Sequence, residues 1–230
     1  MEQQLSKRLT AIYEALLARY GPQAWWPGET VFEVVAGAIL TQSTAWENAS
    51  KAINNLKRRN CLSVWAIRSL PQEELAEIIR PSGYFNSKAK KLKAMVEWLD
   101  DMCGGNIEQL ARIDTLSLRS KLLSVYGIGP ETTDSILLYG LGKPVFVIDA
   151  YTRRIIDRQG LTPAGGTGYD DYQKLFMYNL EDDTVMYGEF HALLVKLAKD
   201  ACRKTPLCSV CCLSNECLKN IERGGAVRDD

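Results

Sequence analysis

Apolar residues recur at steps of three or four along most of this 230-residue chain, and that period limits what it can fold into more than any other feature. Leu5, Leu9, Ile12, Leu16 and Leu17 trace one face of an amphipathic helix. FEVVAGAIL (32–40) reads as a buried helix, and AWENASKAINNLKRR, after TQST, as a half-exposed one. PQEELAEII begins with proline at a helix start and places acids in the first turn. SKAKKLKAMVEWLDDM, LSLRSKLLSVY, ETTDSILLYGL, DDYQKLFMYNLE and MYGEFHALLVKLAKDAC continue the period. Only PVFVID (144–149) has a strand-like composition. The expected fold is all-α, without repeats, with ERGGAVRDD as a frayed tail.

A hydrophobic content of 46% supports one sizeable core or two small lobes. No run of about eighteen apolar residues occurs, so no membrane span is expected. MEQQLSKRLTAIYEALLARYG lacks the features of a signal peptide, which points to the cytoplasm. Lys+Arg and Asp+Glu balance at 28 each, so bulk charge does not announce a nucleic-acid partner. NSKAKKLK (86–93) and the set Lys196, Lys199, Arg203 and Lys204 are local basic clusters that fit either a solvated helix face or an anion contact.

LLSVYGIGPETTDSILLYG (122–140) contains an apolar helix, a turn with Gly127 and Gly129, and a second helix starting near Pro130. Glycine permits positive φ and close backbone approach, and proline at a first turn lacks an amide that would be orphaned anyway. Free N–H groups there can hold a DNA phosphate without side-chain charge, which reconciles DNA binding with neutrality. An ordinary helix hairpin fits the same residues. Of seven cysteines, Cys61 and Cys103 stand apart, and five crowd into CRKTPLCSVCCLSNEC (202–217). Such crowding without a secretory signal favours metal over disulfides. Cys202, Cys208, Cys211 and Cys217 form C-x5-C-x2-C-x5-C, and Cys212 falls outside the pattern.

The hairpin, the following KPVFVIDAYTRRI and the later cysteines together resemble the helix-hairpin-helix DNA glycosylase superfamily, specifically its endonuclease III branch, over roughly residues 5–217. The resemblance implies a catalytic aspartate at Asp149, a position that also suits a helix N-cap. Lyase-competent members have a lysine where this chain has Glu131, and a carboxylate cannot form their Schiff base. The implied enzyme is monofunctional, with water as nucleophile and Asp149 stabilising an oxocarbenium-like sugar. Glu131 either adds negative potential or caps the helix start. The branch also implies a structural [4Fe–4S] cluster on the four patterned cysteines, with zinc as the chemical rival, shaping a loop that brings Arg203 and Lys204 to DNA.

Gln42 in LTQST matches the residue that fills the gap left by a flipped nucleotide in this superfamily. GYFNSKAKKL (83–92) resembles its second wedge loop, with Tyr84 or Phe85 entering the duplex. Core packing is the plainer alternative for Tyr84. WWP and Trp46 look like the endonuclease III-type 3-methyladenine DNA glycosylases, in which Trp25, Trp26, Pro27 and Trp46 would sandwich an alkylated purine. That base is cationic, so stacked indoles select it by cation–π attraction, although tryptophans also fill cores. RPSGYFN and Phe190–His191 share the wording of that subgroup, whose members can lack the cysteines present here; His191 by itself reads as a satisfied helix residue.

The expected organisation is a six-helix barrel over 29–140 carrying the hairpin, a discontinuous iron–sulfur domain from 1–28 and 141–217, and a tail over 218–230. Asp149 would face the aromatic pocket across a cleft. The expected partner is double-stranded DNA with damaged bases, gripped through Gly127, Gly129 and Thr132, by a monomer in the cytoplasm or on the nucleoid. Rival readings are a glycosylase for uracil, hypoxanthine, mismatched or oxidised bases, a non-catalytic damage binder, and a redox protein.

Overall fold

The computed structural model describes residues 2–219; ERGGAVRDD, expected to fray, lies outside the described residues. Among the described residues the fold is all-helical and contains no strand. The first helices are α1 (Glu2–Tyr20), α2 (Val31–Leu40), α3 (Trp46–Arg58), α4 (Val64–Ser69), α5 (Gln72–Ile78) and α6 (Phe85–Cys103). They are followed by α7 (Thr115–Leu123), α8 (Pro130–Ser135), α9 (Ala150–Arg158), α10 (Tyr169–Met177) and α11 (Thr184–Asp200). No helix among the described residues is long and apolar enough to cross a membrane. The chain divides into two compact units, one spanning Trp26–Lys143, the other built from its flanks, up to Trp25 and from Pro144 onward.

In the middle unit α2 is the central element. Thr30 starts it by accepting the Glu33 N–H on Oγ1 at 3.1 Å, and every residue from Phe32 to Leu40 is buried. A helix covered on all sides belongs inside a bundle, and α2 packs against α3 and α6. Its one buried charge, Glu33, is held by Lys57 at 2.8 Å.

The basic run on α6 is only partly a solvated face: Asn86, Ser87 and Lys90 are exposed, but the other lysines turn inward. Lys88 is 1% exposed and donates to the carbonyls of Leu40 at 2.8 Å and Ser82 at 2.7 Å. Lys91 donates to Gln42 Oε1 at 2.5 Å, and Lys93 to the carbonyls of Arg68 and Leu70. Lys90 lies 4.5 Å from the centre of the Tyr126 ring. These lysines bind loop carbonyls, an amide and a ring of their own unit, which periodicity cannot reveal.

The hairpin is α7 and α8 joined by the turn from Ser124 to Gly129. Arg119 on α7 forks onto Asp134 on α8, Nε to Oδ1 at 2.8 Å and a terminal nitrogen to Oδ2 at 3.1 Å. Asp134 has 0% exposure, so this bidentate pair locks the two arms inside the unit. The second arm then widens into a π-helical turn over Ile136–Gly140.

In the flanking unit the strand-like PVFVID forms no regular element and has no strand to pair with among the described residues. Side chains replace the ladder: Gln173 donates to the Phe146 carbonyl at 2.8 Å, and Tyr169 Oη accepts the Ile148 N–H at 3.2 Å. Phe146 stacks on Phe176 with centroids 3.8 Å apart, and Tyr187 and Phe190 meet Phe146 edge-on. The β-branched composition records burial around an aromatic core, not sheet pairing.

Candidate active site and nucleic-acid interface

At the hairpin turn only one of the two glycines uses its freedom. Gly127 has φ +76, and a Cβ there would lie 2.6 Å from Lys91 Cγ, so the lysine stem runs directly over it. Gly129 is extended at φ −96, caps α8 without a side chain, and faces open space where a Cβ would sit. Pro130 takes the first helical position. Glu131 follows it, exposed, in the first turn, where a carboxylate suits the partial positive charge of the helix start.

Gln42 is docked on this turn. Its Nε2 donates to the Gly127 carbonyl at 3.2 Å and to Thr132 Oγ1 at 2.8 Å, while Oε1 accepts from Lys91. Three residues singled out from sequence, Gln42, Gly127 and Thr132, are therefore one hydrogen-bonded group, and Lys91 is a member that the sequence reading missed. Tyr84 is 72% exposed, so core packing is not its occupation. Phe85 is half-buried, with the Arg80 guanidinium 4.9 Å from its ring centre.

Among the described residues, four non-glycine residues have positive φ: Ala24, Ser43, Asn60 and Tyr84. Three of these adjoin or are candidate site residues, beside Trp25, beside Gln42, and Tyr84 itself. Side chains resist that conformation by about 1–2 kcal/mol, and such strain persists where surrounding contacts impose it. Positive φ is a backbone property with no signature in alanine, serine or tyrosine, the types at these three positions.

Trp26 lies edge-on to Trp46, with ring centroids 5.3 Å apart and planes at 80°. Tyr139 tilts against Trp26 at 5.4 Å, adding a third ring that the sequence reading did not flag. The π-helical turn shifts the residues after Ser135 out of α-helical register, which is why Tyr139 escapes a count by 3.6. A Cβ at Gly37 would come within 3.2 Å of the Trp26 ring, so α2 offers the indole a flat backbone seat. Pro27 is exposed; Trp25 is half-buried and belongs to the other unit.

Asp149 occupies the N-cap of α9 and accepts the Thr152 N–H on Oδ1 at 2.6 Å. The buried PVFVI segment delivers it there. Its Oδ2 lies 3.8 Å from His191 Nε2, beyond hydrogen-bond reach but close enough for charge interaction. His191 is 5% exposed, and burial holds its imidazole below the usual range against the raising pull of Asp149.

Cys202, Cys208, Cys211 and Cys217 line one small recess at the end of α11. Burial pushes the Cys211 thiol up to about 12, a penalty that metal ligation would remove. Arg158 on α9 donates to Cys202 Sγ at 3.3 Å and to the carbonyls of Arg203 at 2.7 Å and Lys204 at 3.0 Å. Arg154 donates to the Cys202 carbonyl at 3.0 Å. The side chains of Arg203 and Lys204 are exposed. Among the described residues no three His, Cys, Asp or Glu side chains converge closely enough for a single ion.

Comparison with known proteins adds a common frame to this geometry. Residues 36–178 match the family profile described as HhH-GPD superfamily base excision DNA repair protein. A Methanocaldococcus jannaschii protein named as a DNA repair glycosylase is 44% identical over 220 residues, covering 95% of this chain and 99% of that one. Endonuclease III of Thermotoga maritima is 27% identical over 200 residues, covering 86% of this chain and 88% of its own length. Among solved structures, the Helicobacter pylori 3-methyladenine DNA glycosylase bound to 1,N6-ethenoadenine superposes with TM-score 0.71 at 27% identity, over 85% of this chain and 97% of that one. An endonuclease III–DNA complex shares the fold at TM-score 0.80 and 19% identity, over 97% of this chain and 98% of that one. With its hairpin, its capping aspartate and these relatives, the chain belongs to the HhH-GPD superfamily of base excision DNA repair proteins, in the endonuclease III branch.

Proposed function

We propose that this protein is a monofunctional DNA glycosylase that hydrolyses the N-glycosidic bond of alkylated, cationic purines such as 3-methyladenine. The observation that carries this reading is Glu131: the first turn after the glycine hairpin holds an exposed carboxylate, beside the threonine on which Gln42 docks, where a lyase needs an amine. Water is then the nucleophile. Asp149 stabilises the oxocarbenium-like sugar and orients the water, with its capping bond to Thr152 fixing the carboxylate. Alkylation at N3 or N7 already weakens the glycosidic bond, so the departing base needs little acid assistance. Trp26, Trp46 and Tyr139 form an electron-rich cluster suited to a cationic ring, with Pro27 next to Trp26 in the same unit. The Gly127–Gly129 turn and Thr132 grip a phosphate, and Gln42 with Tyr84 or Phe85 fills the space left by the extruded base. Double-stranded DNA is the partner, met by a monomer.

The reading extends to a [4Fe–4S] cluster on Cys202, Cys208, Cys211 and Cys217, which bind as thiolates. The cluster supplies no redox step to a hydrolysis; it shapes the loop of Arg203 and Lys204 toward DNA. Protein purified without oxygen should be coloured and contain iron, and a colourless preparation holding zinc would reverse this assignment.

The decisive assay is release of free base from methylated duplex DNA, run beside a strand-nicking assay. The expected result is released 3-methyladenine with nicking only after alkali. Retention of 3-methyladenine with excision of uracil or hypoxanthine would redirect the substrate. Nicking without alkali would contradict the role given to Glu131.

A further inference from the structure

The NSKAKKLK run suggests nucleic-acid contact by charge alone, yet two of its lysines point at the loops that the proposed function uses. Lys88 joins the carbonyl of Leu40, at the end of α2, to that of Ser82, just before Gly83 and Tyr84. Gln42 follows the first carbonyl by two residues, and Tyr84 follows the second by two. One buried ammonium therefore sets the spacing of both loops.

Lys91 acts one turn further along α6. Its stem crosses Gly127, where any larger residue would collide with it, and this directs the ammonium onto Gln42 Oε1. Lysine only donates and the Gly127 carbonyl only accepts, so the amide of Gln42 has one allowed orientation: oxygen to Lys91, nitrogen to Gly127 and Thr132. A free glutamine side chain samples many rotamers, and this one is held in a single rotamer on the hairpin turn.

We propose that Lys91 is a positioning residue: it aims Gln42 from the hairpin turn so that gripping the backbone and filling the vacated base position are one preorganised event. This rests on the reading of Gln42 given above. The lysine's contribution is then orientation and not phosphate neutralisation, and the two make opposite predictions.

The test uses the full chain and a duplex with 2-aminopurine at the position to be extruded, whose fluorescence rises on unstacking. Duplex affinity is measured across a salt series. Lys91→Met should lower the extruded fraction on the order of tenfold, the cost of freeing one long side chain. The salt slope of its affinity should stay unchanged. Lys91→Met should have no further effect in a Gln42→Ala background, because both act through one amide. Thr132→Val, which leaves the charge untouched, should lower extrusion in the same direction and keeps the question open to measurement if Lys91→Met folds poorly. The proposal is overturned if Lys91→Met reduces the salt slope by about 1, as loss of a phosphate contact does. It is equally overturned if the Lys91 and Gln42 effects add, or if extrusion is indifferent to both Lys91→Met and Thr132→Val while Gln42→Ala impairs it. Wild-type protein that binds the duplex but leaves the base stacked would instead sink the glycosylase reading, and this inference with it.

Discussion

Arg119→Met tests whether the hairpin is held from within. The guanidinium makes two bonds, at 2.8 Å and 3.1 Å, to Asp134, whose carboxylate has 0% exposure, while the Arg119 side chain keeps 16%. Removing one partner of a buried ion pair costs about 3–5 kcal/mol, and the residual exposure of the arginine favours the low end, about 3 kcal/mol. For a chain of this size each kcal/mol moves Tm by roughly 2–4 °C, so Arg119→Met should melt about 6–12 °C below wild type. Arg119→Lys, which restores charge but not the fork, should recover only part of that loss. Arg119→Met combined with Asp134→Leu should recover most of it, because an apolar pair of similar volume avoids the desolvation cost. Thermal unfolding followed by circular dichroism reads all of these. An Arg119→Met protein melting within about 2 °C of wild type would refute the claim that this pair ties α7 to α8.

Asp149→Asn should slow base release by on the order of 10²–10³, the cost of losing one group aimed at transition-state charge. Asparagine caps helices as well as aspartate, so Tm and duplex affinity should hold, and single-turnover excision at wild-type rate would reject the catalytic role. Burial lowers Lys88 to about 8 from 10.5, so between those pH values the unfolded chain binds the extra proton. Denaturation midpoints of wild type relative to Lys88→Met should therefore rise from pH 8 to pH 10.5 and be level below that window; a falling difference would contradict the burial. Trp46→Leu should impair release of cationic 3-methyladenine more than release of any neutral base, by roughly tenfold if about 1–2 kcal/mol of cation–π attraction is lost. Equal losses on both substrates would point to packing alone.

Helices were legible because their hydrogen bonds and apolar faces repeat over a few residues. Thr30 and Asp149 are capping residues whose behaviour is local, and both cap as their residue types allow. PVFVID carries a strand-like composition inside an all-α chain because that composition reports burial, which arises here from stacking on Phe176 and a side-chain bond from Gln173. The basic run misled because a lysine stem can carry its charge inward, and only long-range packing decides that it does. Tyr139 escaped because a π-helical turn changes the register without changing the residues.

By itself the sequence determined the all-helical content, the glycine hairpin, the carboxylate at position 131 and the spacing of four cysteines. Each of these is a matter of residue type and near neighbours. Tertiary structure alone decided that Lys88 is buried, that Gln42 rests on Gly127, 85 residues away, and that Trp26 meets Trp46 and Tyr139. Those contacts depend on which helices pack together, and the free energy that selects one packing is spread over the whole core rather than written in any short segment.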